Sequence, residues 1–157
     1  RRGATRGKAL PLRPVGESLG RGGDWLTLEM WWTPGPPFSS SLTKASARPL
    51  ADGYSAATGR PWTQPIGFKH ALFEVTADVI RRAGDLDDKG AIMEAIRTTD
   101  LATIVGPVNW AKGPVKNVTK TPLVAAQRPK GSKGSELVVT ANANAPQLPV
   151  TGKPTLL

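Results

Sequence analysis

The sequence predicts a mixed α/β fold, with short strands and three helices around one modest core. Residues 25 to 32 alternate apolar and polar side chains, as a half-buried strand does. Residues 67 to 84 repeat apolar side chains at helical spacing. Residues 122 to 128 and 136 to 141 are typical of two strands of a hairpin. A chain of 157 residues is long enough for one such domain.

The first strand runs into two adjacent tryptophans and a proline-rich turn. Leu26, Leu28 and Met30 share one face of this strand, and Trp31 and Trp32 follow them directly. The prolines after the tryptophans lack the N–H group that a β-ladder needs, so the strand is predicted to end at the tryptophans.

The first two helices are predicted with unequal strength. A weak helix covers residues 44 to 57, with Leu50, Tyr54 and Ala57 on its inner face. Pro49 lies inside this helix and opposes it. The strongest helical pattern covers residues 67 to 84 and ends at Gly84. Its predicted inner stripe consists of Phe68, Leu72, Val75, Val79 and Ala83.

A third helix and a short strand-like segment complete the elements. Asp87 is the predicted N-cap of the helix, which stops near Thr98. Ile92, Ala95 and Ile96 are predicted to face inward in this helix. Residues 103 to 110 form a β-branched segment that is broken by a glycine and a proline.

The net charge of +9 lies at the two ends of the chain. Residues 1 to 21 carry six basic side chains and one acidic one, and residues 111 to 157 carry seven and one. The remaining residues, 22 to 110, carry eight basic and ten acidic side chains, a net of −2. Basic ends of this kind favour solvated tails over a phosphate-binding face. A small basic nucleic-acid-binding protein remains the alternative function.

The sequence shows no catalytic constellation and predicts no enzyme. The chain has no cysteine, which excludes a thiolate nucleophile and a disulfide framework. His70 is its single histidine, and Glu74 is the sole candidate partner one helical turn away. These two side chains make neither a metal site nor a base with a nucleophile, so His70 is expected to make ordinary helix contacts. No cofactor and no metal are predicted.

Four words in order carry a family resemblance: "EMWWTPGPPFSSSLT", "ATGRPWTQPIGFKHALFEV", "RTTDLATIVGPVNW" and "KTPLVAAQ". Their order and content resemble the C-terminal part of the leucine/isoleucine/valine-type substrate-binding proteins of ABC importers. The resemblance covers residues 25 to 157, and residues 59 to 110 are its most specific part. It implies a partial type I periplasmic-binding-protein fold, a C-terminal fragment that spans parts of both lobes.

The resemblance also implies the organisation and the partners. Residues 1 to 24 are expected to be a disordered or unrelated leader, and the first-lobe segment that begins such proteins is expected to be missing here. The implied function is to capture a small amino acid, amide or related solute for a membrane permease. The implied location is periplasmic or at the cell surface, although residues 1 to 14 lack the apolar centre of a secretory signal.

The resemblance implies a ligand site formed by Trp31, Trp32, Trp62 and Gln64. Residues 25 to 33 look like a strand that crosses between lobes, where the paired tryptophans would face the cleft. The alternative is that one tryptophan fills the core and the other covers it. The Gln64 amide precedes the long helix and would bind one polar end of a zwitterion, or it would cap the helix instead.

Overall fold

The fold is mixed α/β, as the sequence predicts. The computed structural model describes residue 18 and residues 24–35, 37–129 and 137–155. The predicted leader up to residue 23 and the hairpin loop at residues 130–136 therefore lie outside the described residues, apart from residue 18. The helices are α1 (Ala47–Thr58), α2 (Pro65–Ala83) and α3 (Lys89–Arg97). The strands are β1 (Thr27–Met30), β2 (Asp100–Thr103), β3 (Gly106–Asn109), β4 (Val124–Gln127) and β5 (Val138–Ala141).

The chain divides into two compact units and passes between them four times. Of the described residues, the first unit holds 18, 24–31, 52–64, 123–129 and 137–155, and the second holds 32–35, 37–51 and 65–122. One of the divisions falls between Trp31 and Trp32, directly after β1.

The first unit is built on an antiparallel sheet with strand order β1-β4-β5. Leu28 of β1 lies opposite Ala126 of β4, and Met30 lies opposite Val124. All four side chains are buried, because alternate residues of paired strands share one face. The alternation in β1 and the hairpin of β4 and β5 are therefore confirmed.

The Gln127 side chain forms hydrogen bonds that join Thr155 to this sheet. Its Nε2 donates to the carbonyl oxygens of Trp25, at 2.9 Å, and Thr155, at 2.8 Å. Its Oε1 accepts from the backbone N–H of Thr155 at 2.8 Å. The Gln127 side chain is 2% exposed, so these bonds satisfy an amide that would otherwise be buried at a cost.

The second unit contains a two-stranded hairpin that the sequence pattern does not predict. The pattern predicts one broken segment over residues 103 to 110, and this prediction is wrong. β2 begins earlier, at Asp100, and pairs antiparallel with β3, so that Thr103 lies opposite Gly106. Ile104 and Val105 form the connecting turn and are both buried. Apolar side chains in a turn give no turn signal, and Asp100 is unusual in a strand, so the pattern misleads.

The inner face of α2 also differs from the prediction. The helix and its end at Gly84, which has a φ of +74°, are confirmed. Its buried residues, however, are Gly67, Ala71, Glu74 and Val79. The buried face is turned by roughly a quarter of a turn from the apolar stripe. Leu72, at 59% exposure, lies outside it.

Two further predictions for the helices are corrected. In α1 the buried residues are Ala47 and Ala51, whereas Ala57 of the predicted inner face is exposed. Pro49 is tolerated because it lies in the first turn, where backbone N–H groups have no helical partner. In α3 the N-cap is Asp88, whose Oδ1 accepts from the N–H of Gly90 at 2.7 Å. The predicted stop at Thr98 is confirmed as the C-cap.

The inner face of α3 is likewise narrower than the pattern indicates. Ala95 is its buried residue, and Ile92 is half-buried. Ile96 is 40% exposed. Arg82 of α2 joins the two helices instead, because its NH2 donates to the carbonyl oxygen of Ala95 at 2.7 Å.

Candidate functional site

The Gln64 side chain forms hydrogen bonds with two backbone groups at the edge of β1. Its Oε1 accepts from the backbone N–H of Trp31 at 2.8 Å, and its Nε2 donates to the carbonyl oxygen of Glu29 at 3.3 Å. These two backbone groups flank Met30 on one side of the strand. A residue of a parallel neighbouring strand would bind the same pair of groups. The amide of Gln64 therefore takes the place of a peptide group at this edge of β1.

This arrangement explains why a glutamine stands directly before α2. Gln64 is 3% exposed and α2 begins at the next residue, Pro65. A proline is favoured in the first helical position, because the N–H group that it lacks would have no helical partner there. Neither Trp31 nor Glu29 belongs to the first turn of α2, so these two bonds differ from the helix cap that the sequence left as an alternative.

The structure places the other three predicted ligand residues in two settings. Trp31 and Trp62 belong to the first unit with Gln64, and both are half-buried. Trp32 belongs to the second unit and is 1% exposed. A Cβ atom on Gly67 would lie 2.3 Å from the ring of Trp32, so the indole rests directly on the backbone of α2. The first unit thus holds Trp31, Trp62 and Gln64, and Trp32 fills the core of the second.

We expect Gln64→Ala to destabilise the first unit. Removing the amide leaves the N–H of Trp31 and the carbonyl of Glu29 without these bonds in a partly buried setting, which costs about 2 kcal/mol of unfolding free energy. Urea unfolding followed by tryptophan fluorescence measures the change. Gln147→Ala is the matched control, because Gln147 is exposed, and it should unfold as the parent chain does. Equal stability of the two variants would show that the β1 edge does not depend on Gln64.

A buried carboxylate organises the second unit, and sequence reasoning missed its role. Glu74 is 0% exposed. Its Oε1 accepts from the backbone N–H of Ser41 and from the Ser41 hydroxyl, the latter at 2.9 Å. Its Oε2 accepts from the N–H of Ile104 at 2.9 Å. Glu74 therefore joins α2 to residues 37–46, named here the anchor loop, and to the β2–β3 turn.

His70 supports the same anchor loop one helical turn earlier. Its Nε2 lies 2.7 Å from the hydroxyl oxygen of Ser40. That oxygen also accepts from the N–H groups of Leu42 and Thr43, each at 3.2 Å. Ser40 is 1% exposed, so its hydroxyl holds the loop and is not presented to a substrate. The ordinary contact expected of His70 is what the structure describes.

The described residues show neither a metal cluster nor a membrane-spanning helix. Within residues 24–35, 37–129 and 137–155 there is no group of three side chains suited to hold a metal ion. None of the described helices is both long and apolar enough to cross a membrane. The hydrogen bond from Arg97 lowers the pKa of Glu94, but this pair is exposed on α3. The lowered pKa of Glu94 therefore results from a surface ion pair and does not indicate a functional site.

Comparison with known proteins relates this chain to solute-binding folds. A crystal structure of the leucine-binding protein LivK from Thermotoga maritima superposes with a TM-score of 0.50 at 16% sequence identity. The alignment covers 79% of this chain and 34% of that protein. The chain has part of a type I periplasmic-binding-protein fold. It spans about a third of the length of the protein it matches.

The other comparisons add no relative. No protein-family model matches the sequence, and no curated protein matches it. At 16% identity the structural match establishes the fold and leaves the choice among families of that fold open. That neighbour is a binding protein rather than an enzyme.

Proposed function

We propose that this chain is part of the solute-binding component of an ABC importer. Its solute would be a small amino acid, an amide or a related compound, and its partner would be a membrane permease. The observation that carries the proposal is the fold shared with a leucine-binding protein over 79% of the chain. A periplasmic or cell-surface location follows from the same proposal.

We assign different roles to the four candidate residues. Trp31 and Trp62 keep exposed surface and would contact the apolar part of the solute. Gln64 would act by holding the backbone of Trp31, since its amide already bonds to β1. Trp32 would support solute binding only indirectly, by packing in the core, because its ring is buried against Gly67.

A chimera tests the proposal. Because the chain spans about a third of the leucine-binding protein, it is joined to the remaining part of that protein. We expect the chimera to bind at least one member of a panel of small amino acids and amides in calorimetric titrations. The chain by itself is expected to show no measurable affinity, because contacts and closure from the rest of the fold are missing.

Two variants of the chimera separate the site from the scaffold. Trp62→Ala should weaken binding by about tenfold, since a truncated aromatic contact costs on the order of 1–2 kcal/mol. Phe73→Ala is the aromatic control, because Phe73 is 67% exposed on α2, and it should bind as the parent does. A chimera that unfolds cooperatively and binds no member of the panel would argue against a solute-binding role.

A further inference from the structure

The segment from Trp110 to Pro122 forms a structured loop that carries positive charge and exposed apolar side chains. It contains three lysines and no acidic residue. Lys112, Lys116 and Lys120 are all exposed. Within the part of the chain that the structure describes, none of the three forms an ion pair. This segment is named the lysine loop.

Hydrogen bonds close the base of the lysine loop. The Oδ1 of Asn109 accepts from the N–H of Lys112 at 2.9 Å. The N–H of Asn109 donates to the Oγ1 of Thr119 at 3.5 Å. The backbone of Lys112 and the side chain of Thr119 are therefore both held at Asn109, the last residue of β3.

The tip of the lysine loop is a tight turn that displays two valines. The N–H of Val118 donates to the carbonyl oxygen of Val115 at 3.2 Å, and Asn117 at the turn has a φ of +64°. Gly113 packs so closely that a Cβ atom there would lie 1.3 Å from the carbonyl oxygen of Val118. Val115 is 62% exposed and Val118 is 43% exposed, with Lys116 between them. The backbone thus holds two apolar side chains in contact with solvent, which is unfavourable unless another surface covers them.

We propose that the lysine loop binds the surface of an anionic lipid membrane. Lysines supply attraction to anionic headgroups, and the valines between them bury apolar surface at the boundary with the acyl chains. A nucleic acid would use the lysines but would gain nothing from exposed valines, and base stacking would need an aromatic side chain at the tip. The tip carries none.

Vesicle sedimentation of the full chain tests the proposal. Neutral vesicles contain phosphatidylcholine alone. Anionic vesicles contain phosphatidylcholine with about one-third phosphatidylglycerol. We expect binding to the anionic vesicles alone, and we expect high salt to release it. The triple variant Lys112→Glu, Lys116→Glu and Lys120→Glu should weaken binding at least about one hundredfold, since each lysine strengthens it about fivefold. Val115→Ser with Val118→Ser should weaken it about fivefold or more.

A matched charge control separates the lysine loop from the net charge. The triple variant Lys69→Glu, Lys89→Glu and Lys153→Glu changes the net charge equally at three lysines outside the loop. The affinity of this control for anionic vesicles should fall several-fold less than that of the loop variant. Equal losses in both triples would overturn the proposal, as would equal binding to neutral vesicles. Binding to duplex or single-stranded DNA that depends on the loop, without binding to anionic vesicles, would also overturn it in favour of a nucleic-acid partner.

Discussion

Glu74→Ala is expected to lower the free energy of unfolding by roughly 3–5 kcal/mol. The substitution removes the acceptor for the N–H groups of Ser41 and Ile104. The N–H of Ile104 then lacks this acceptor in a buried setting, and the N–H of Ser41 lacks it in a partly buried one. Urea unfolding measures the change. Hydrogen exchange at the amides of Ser41 and Ile104 should accelerate before the rest of the unit opens.

Two further variants show whether the carboxylate itself matters. Glu74→Gln keeps the side-chain volume but places an N–H donor where one carboxylate oxygen accepted a hydrogen bond. The free energy of unfolding should therefore fall by about 2 kcal/mol. Glu94→Ala is the surface control, since Glu94 is exposed and bonds to Arg97 of the same helix, and it should leave stability unchanged within error. If Glu74→Ala and Glu94→Ala behave alike, Glu74 does not join the anchor loop to the β2–β3 turn.

Gly67→Ala is expected to destabilise the second unit by about 3 kcal/mol. The new methyl group would lie 2.3 Å from the Trp32 ring, and this ring is 1% exposed and has little room to move. Thermal or urea unfolding measures the loss. The variant should also shift the fluorescence maximum to longer wavelength if the indole is forced toward water.

The opposite sign is expected for another helical glycine. Gly53 lies inside α1, and a Cβ atom added there would meet nothing within 4 Å beyond its chain neighbours and the nearby backbone of its own helix, so Gly53→Ala should stabilise the chain by about 0.5–1 kcal/mol. In the double variant Gly67→Ala with Trp32→Phe, the smaller ring should recover part of the loss. Loss of stability at both glycines, with no recovery in the double variant, would show that the Trp32 contact does not control the cost.

The sequence predicts the elements whose signals are local. The alternation in β1, the ending of α2 at Gly84 and the β4–β5 hairpin each depend on neighbouring residues, and each is present. The hairpin of β2 and β3 was missed because its turn is made of Ile104 and Val105. Their burial, which the pattern associates with a strand, comes from tertiary packing.

The helix faces and the polar contacts could not be predicted for a related reason. Apolar periodicity assigns Leu72 to the inside of α2, whereas the structure exposes Leu72 and buries Glu74. A buried carboxylate is stable only with several donors, and these donors come from Ser41 and Ile104, thirty or more residues away. Gln64 presents the same difficulty, since its partners at Glu29 and Trp31 are distant in sequence.

Fluorine NMR tests whether this chain contacts the solute through Trp31 and Trp62, as we propose. The chimera with the leucine-binding protein is labelled with 5-fluorotryptophan, and the five resonances of this chain are assigned by single Trp→Phe variants. On titration with a bound amino acid, the resonances of Trp31 and Trp62 should shift and saturate together, while those of Trp25 and Trp110 stay in place. Saturable binding that leaves the resonances of both Trp31 and Trp62 unshifted would show that neither side chain contacts the solute.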